Sequence, residues 1–165
     1  MIGGSEMNIE QAFIKGCKIQ DIAEIYEMRL KDENFVIAKE FSELPNSYDV
    51  LLKEDCKRKV AMFQISDEWV TVVEAKEVND YDLLMYISKK CKAIVVCTVC
   101  SDVIGACGYA ILKNGNVETA DYSEDIDDVD EYVSDVLQEE GIEYRTLMFS
   151  EIMRDTSIEK TILKS

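Results

Sequence analysis

The chain contains no histidine. That removes the side chain whose charge changes near neutral pH, and with it Ser-His-Asp and Cys-His catalysis and the commonest metal ligand. No long apolar run is present either. The longest weakly polar stretch, residues 93–100, falls far below the ~20 residues of a membrane helix, so no membrane partner is expected. The first residues lack both the basic start and the apolar centre of a secretory signal, which predicts a soluble, cytoplasmic protein. Phosphate-binding loops are missing. Gly105-Ala106-Cys107-Gly108 is only a Gly-x-x-Gly leading into a strand pattern, and no Walker-type loop occurs. Asp121, Ser123, Asp125 and Asp127 alternate like calcium ligands. Ile126, however, stands where the turn glycine belongs and Tyr132 where the bidentate glutamate belongs, so an EF-hand is excluded. Metal and cofactors are expected to be absent. Basic clusters are scarce too. Lys57-Arg58-Lys59 is the only dense one, too small to offset the acidity, and direct nucleic-acid binding is disfavoured.

Cysteines occur at 17, 56, 91, 97, 100 and 107. Cys97-Thr98-Val99-Cys100 has metal-like spacing but ends a β-branched run, and in a strand residues i and i+3 point to opposite faces. The expectation is reduced, buried or half-buried thiols acting as small apolar side chains. A metal site built from Cys91, Cys97, Cys100 and Cys107 is the alternative.

The 165 residues, 47% apolar, suit one domain with a sizeable core. Residues 1–7, with Gly3, Gly4 and Ser5, read as a flexible lead-in and 8–165 as a single α+β domain. Residues 9–15 read as a short helix stopped at Gly16, followed by a helix capped by Asp21. Residues 35–41 alternate enough for a strand, and 48–55, after the single proline Pro45, read as a short helix. Residues 60–65 and 69–75 form a hairpin across Ser66-Asp67-Glu68, and Asn79 or Asp80 caps a helix through Lys90 with Leu83, Leu84 and Ile87 inward. A meander follows over 93–100, 106–112 and 117–122. Asn114-Gly115 turns its second hairpin, pairing Leu112 with Val117 and Ile111 with Glu118. After the next helix come a strand at 142–149 and a short closing helix at 157–164. The sum is an α+β fold, a mainly antiparallel sheet with helices packed on one face.

Residues 114–144 stand apart. They hold twelve of the 34 acidic residues and none of the 18 basic ones, so three quarters of the net charge of −16 is local. Ile126, Val129, Val133, Val136 and Leu137 recur at helical spacing, while Asp127, Glu131, Asp135 and Glu139 fall four apart on the other side. The spacing predicts a helix starting near Asp125, capped by Ser123 or Asp125, and stopped by Gly141. Three successive like-charge pairs cost about 1 kcal/mol together on an isolated helix. Glu139 and Glu140 also sit at the end where the macrodipole disfavours anions. A sequence shaped only for stability would interleave lysines here.

Leu44-Pro45, followed by Tyr48, Leu51 and Leu52, resembles the Leu-Pro-x-x-Tyr-x-x-φ-Leu entry of the SUKH superfamily, α+β proteins many of which are bacterial toxin-immunity proteins. The match covers residues 44–52. Where that family often continues Asn-Gly-Gly, this chain has Glu54-Asp55-Cys56-Lys57. The resemblance implies an inhibitor-like binding role.

Three functional readings follow. In the first, the protein is a non-catalytic immunity or inhibitor-type binder that neutralises a basic partner, a toxin or a nucleic-acid enzyme, through Asp127, Asp128, Glu131, Asp135 and Glu139. Carboxylates on that row repeat every ~6 Å, similar to the spacing of charges along a nucleic-acid strand. In the second, the acidic face only keeps the chain in solution, and a structural or adaptor domain binds through an apolar edge around Trp69 or the Val117 strand. The third is a small enzyme using carboxylates or cysteine.

Overall fold

Ala12, Phe13 and Ile14 are consecutive and all buried, which a strand achieves only when both faces of its sheet are covered. The computed structural model describes residues 8–30, 36–38, 59–74, 80–101, 104–143 and 158–164. In it the trio lies in β1 (Asn8–Lys15), between β4 (Trp69–Glu74) and β5 (Ile94–Ser101). The other strands are β2 (Val36–Ala38), β3 (Lys59–Gln64), β6 (Ala106–Lys113), β7 (Asn116–Ser123) and β8 (Lys160–Lys164). The eight-stranded sheet has the order β2-β8-β3-β4-β1-β5-β6-β7. Every neighbouring pair is antiparallel.

Alternation along the central strands divides the core in two. On one face, Ala12, Ile14, Val70, Val72 and Val95 meet Ile22, Ile25 and Tyr26 of α1 (Ile19–Leu30) and Leu83, Leu84 and Ile87 of α2 (Tyr81–Lys90). On the other, Phe13, Trp69, Val96 and Ile111 meet Val133 and Leu137 of α3 (Val129–Glu139) and Ile142 beyond it. Phe13 and Trp69 pack ring to ring at 5.7 Å. The two threonines buried in the sheet are satisfied: Thr71 donates to the Ala12 carbonyl at 3.1 Å and Thr98 to that of Gln11 at 3.3 Å.

The α+β class and the antiparallel sheet are as the sequence predicts. The grouping of helices on one face holds for α1 and α2 only, because Phe13, Val96 and Ile111 give the opposite face an apolar surface that α3 covers. Two further corrections have separate causes. Residues 9–15 form the central strand β1, not a helix, since burial on both faces erases the period-2 signal. Residues 160–164 form β8, not a helix, inserted between β2 and β3 with Leu163 opposite both Ile37 and Val60. A helix as short as the one expected at 157–164 does not sustain itself in isolation, and the backbone bonds of two neighbours decide the outcome. The strand expected around 35–41 is present as β2. The helix expected at 48–55 and the motif at 44–52 lie outside the described residues, as does all of the strand expected at 142–149 except residues 142 and 143, which belong to no strand.

Local chemistry accounts for the elements that match. Asp80 caps α2, accepting from the Leu83 N–H at 3.1 Å, and Lys89 and Lys90 occupy its last turn. Asn114 and Gly115 both take positive φ, 52° and 77°, as a tight two-residue hairpin turn requires. Buried Ser88 on α2 accepts from the Gly115 N–H at 3.0 Å and donates to the Met85 carbonyl at 2.7 Å, pinning that turn to the helix. Leu112 pairs with Val117 as expected, but Ile111 pairs with Thr119 instead of Glu118 because a bulge intervenes. Among the described residues no helix is long and apolar enough to cross a membrane.

Candidate partner-binding face

The acidic stretch begins on β7, the last strand of the sheet. Asn116 to Tyr122 are all exposed, and no described strand lies on the outer side of β7. From Ser123 the chain turns through Asp125, at φ 57°, and Ile126 donates its N–H to the Gly105 carbonyl at 2.7 Å. That contact is close. A Cβ on Gly105, itself at φ 61°, would lie 2.7 Å from the Ile126 carbonyl oxygen, so the position demands glycine. With residues 124–127 held in this bend, the helix starts later than the sequence predicts. Asp128, not Ser123 or Asp125, is its cap, in extended conformation and accepting from the Glu131 N–H at 3.1 Å.

At the other end, Gly141 donates to the Gln138 carbonyl and Ile142 to that of Leu137, both at 3.0 Å. Leu137 and Ile142 are fully buried together, which completes a Schellman stop at the glycine the sequence marked. The negative helix end is also answered from elsewhere in the fold. Lys15 on β1 donates to the Glu140 carbonyl at 3.2 Å, and the Lys113 ammonium lies 3.0 Å from the Glu140 carboxylate and 2.7 Å from that of Glu118. These carboxylates hold the Lys113 amine above its ordinary value of 10.5. The unfavourable charge expected at Glu140 is therefore compensated by tertiary contacts.

The five carboxylates expected to meet a partner stand otherwise. Asp127, Asp128, Glu131, Asp135 and Glu139 are all exposed, and among the described residues no Lys or Arg lies within 4 Å of any of them. The structure brings Glu131, Asp135 and Glu139 into one helical row. Asp127 precedes the helix and Asp128 is its cap, so two like-charge pairs at i,i+4 remain instead of three.

The row borders β7. Tyr132 of α3 donates its hydroxyl to Ser123 at 3.4 Å and packs on Tyr109 of β6 with ring centroids 6.2 Å apart. Tyr109 sits between the two acidic elements: burial first, then Tyr132, Asp121 on β7 and Glu139 on α3, push its hydroxyl above the ordinary tyrosine value. Helix flank and the α3 side of the edge strand thus form one negatively charged ledge, whereas Val117 and Tyr122, opposite Leu112 and Gly108, expose apolar surface on the other face of β7. Trp69 cannot supply an apolar edge, because it is buried between Phe13 and the α3 side of the core.

Sequence reasoning missed a brace under this ledge. Cys100 and Cys107 are direct cross-strand partners on β5 and β6, with Cα atoms 4.1 Å apart, and form a disulfide. The expectation of reduced thiols therefore fails for this pair, and so does the four-cysteine metal alternative. Cys97 faces the α1–α2 side of the sheet while Cys100 and Cys107 face α3. Elsewhere, a cleft of about 290 Å³ lies between α1 and α2, lined by Ile25, Met28, Leu83, Tyr86, Arg29 and Lys90 with Asp82 as its one carboxylate. No protein-family model, no curated protein and no solved structure matches this chain.

Proposed function

We propose that this chain is a non-catalytic binding protein of the immunity or inhibitor type, which neutralises a basic partner through the α3 row and the adjoining β7 edge. The observation that carries the reading is the contrast within one helix. The acid at its C-terminal end is met by Lys113, whereas Glu131, Asp135 and Glu139 are exposed and, among the described residues, have no cation against them. Such a row speeds the approach of a cationic protein and sets its orientation. Its carboxylates climb α3 at ~6 Å per step, which suits the phosphate-binding groove of a nucleic-acid enzyme. The resemblance of residues 44–52 to SUKH immunity proteins agrees with this role.

The test is the double reversal E131K with D135K, compared with wild type in capture of partners from native lysate at low and high salt. Partners held by wild type at low salt, released at high salt and bound at least about tenfold more weakly by the double variant support the reading. Equal capture by both proteins at both salt concentrations removes it. A second reading rests on the exposed Val117 and Tyr122 at the sheet edge: a structural or adaptor domain that binds through β7. Self-association insensitive to salt favours that alternative.

A further inference from the structure

Away from the acidic ledge, on the opposite face of the sheet, two cysteines 74 residues apart in sequence face each other. The Cys17 thiol donates to the Cys91 sulfur at 3.0 Å. The backbone holds each from its own side. Cys17 follows Gly16, whose N–H bonds the Glu68 carbonyl at 3.1 Å, and lies two residues ahead of α1. Cys91 closes α2, its N–H bonding the Ile87 carbonyl at 3.0 Å. Both side chains are half-buried against the core that α1 and α2 share, which leaves a small reagent access to the sulfurs. Neither is disulfide-bonded, in contrast to Cys100 and Cys107.

The geometry points to a thiol–disulfide exchange site: Cys17 and Cys91 are a dithiol that a small-molecule disulfide oxidises to a second intramolecular bond, clamping the β1–α1 junction to the end of α2. The exchange balances in two steps. The Cys91 thiol, as thiolate, attacks one sulfur of the reagent and expels the other half as a thiol after proton uptake. Cys17 then gives up its proton, attacks the Cys91 sulfur of the mixed disulfide and releases the second half. Two protein thiols lose two protons and two electrons, and the reagent disulfide becomes two thiols. The order follows from the surroundings. Burial, then the hydrogen bond and charge of Cys91, push the Cys17 thiol up to about 12, so Cys17 is the poorer first nucleophile. Once Cys91 is in the mixed disulfide, the part of that shift due to its thiol disappears.

The experiment uses the whole chain, mildly reduced and then exposed to oxidised glutathione, followed by alkylation under denaturing conditions and non-reducing peptide mapping. The expected result is joint loss of alkylation at Cys17 and Cys91, with a peptide linking the two. In C17S, Cys91 accumulates a glutathione adduct instead, and in C97S the 17–91 link still forms. Closing so long a loop raises the melting temperature of the oxidised chain by roughly 5–15 °C. The inference is overturned if both thiols stay alkylated while Cys100 and Cys107 pair, or if either links chiefly to Cys56 or Cys97. A 17–91 link with an unchanged melting temperature overturns the clamp.

Discussion

The ammonium of Lys113, at the end of β6, lies 3.0 Å from the carboxylate of Glu140, the residue that closes α3. One hairpin cation therefore settles the end of the acidic helix, and its second contact, to Glu118, ties the start of β7 to the same point.

That arrangement makes stability sensitive to alkali. Because the amine of Lys113 is raised above its ordinary 10.5 by Glu118 and then Glu140, the native chain keeps that proton longer than the unfolded chain does. The contribution is complete below pH 10.5 and is lost as pH rises through the higher native value. In K113M the fall in stability above pH 10 is shallower than in wild type, measured by urea unfolding. At neutral pH the variant is destabilised by about 1 kcal/mol at most, since the pair is partly exposed and screened, and the difference shrinks in high salt.

On the proposed reading, the row on α3 sets stability against binding. D135K replaces both like-charge pairs, Glu131 with Asp135 and Asp135 with Glu139, by attractive ones. Each swap is worth a few tenths of a kcal/mol twice over, so the chain gains about 1 kcal/mol and melts roughly 2–4 °C higher. The same variant binds a basic partner more weakly. Thermal unfolding beside an affinity measurement checks both halves, and a D135K chain that is no more stable than wild type contradicts the frustration attributed to the row.

Asp128 has two jobs that substitution separates. D128A removes the acceptor for the Glu131 N–H and costs about 1 kcal/mol, whereas D128N keeps a capping oxygen and stays within a few tenths of wild type. Both remove the charge. If Asp128 also meets the partner, the two variants lose affinity alike while differing in denaturant midpoint.

What could be read from the residues follows how local each determinant is. Asp80 and the Leu83, Leu84, Ile87 stripe specify α2 within one stretch, and Asn114-Gly115 specifies its hairpin. Ala12-Phe13-Ile14 carries no such mark, because all three are apolar and only the helices on either face tell the two directions apart. The start of α3 was misplaced for a similar reason. Ser123, Asp125 and Asp128 are all competent caps, and the bond from Ile126 to Gly105 selects the last. For the candidate face, the exposed row was legible from its spacing. Its neighbours were not, since Lys15 and Lys113 reach Glu140 only once the sheet is assembled. The pairing of Cys100 with Cys107 depended likewise on the register of β5 against β6.

Among the described residues no strand covers the outer side of β7, whose main-chain donors and acceptors a strand from another molecule can complete. For two identical chains meeting there, Glu118 and Asp121 bring negative charge against negative charge. The same acidity therefore keeps kin apart at this margin of the sheet.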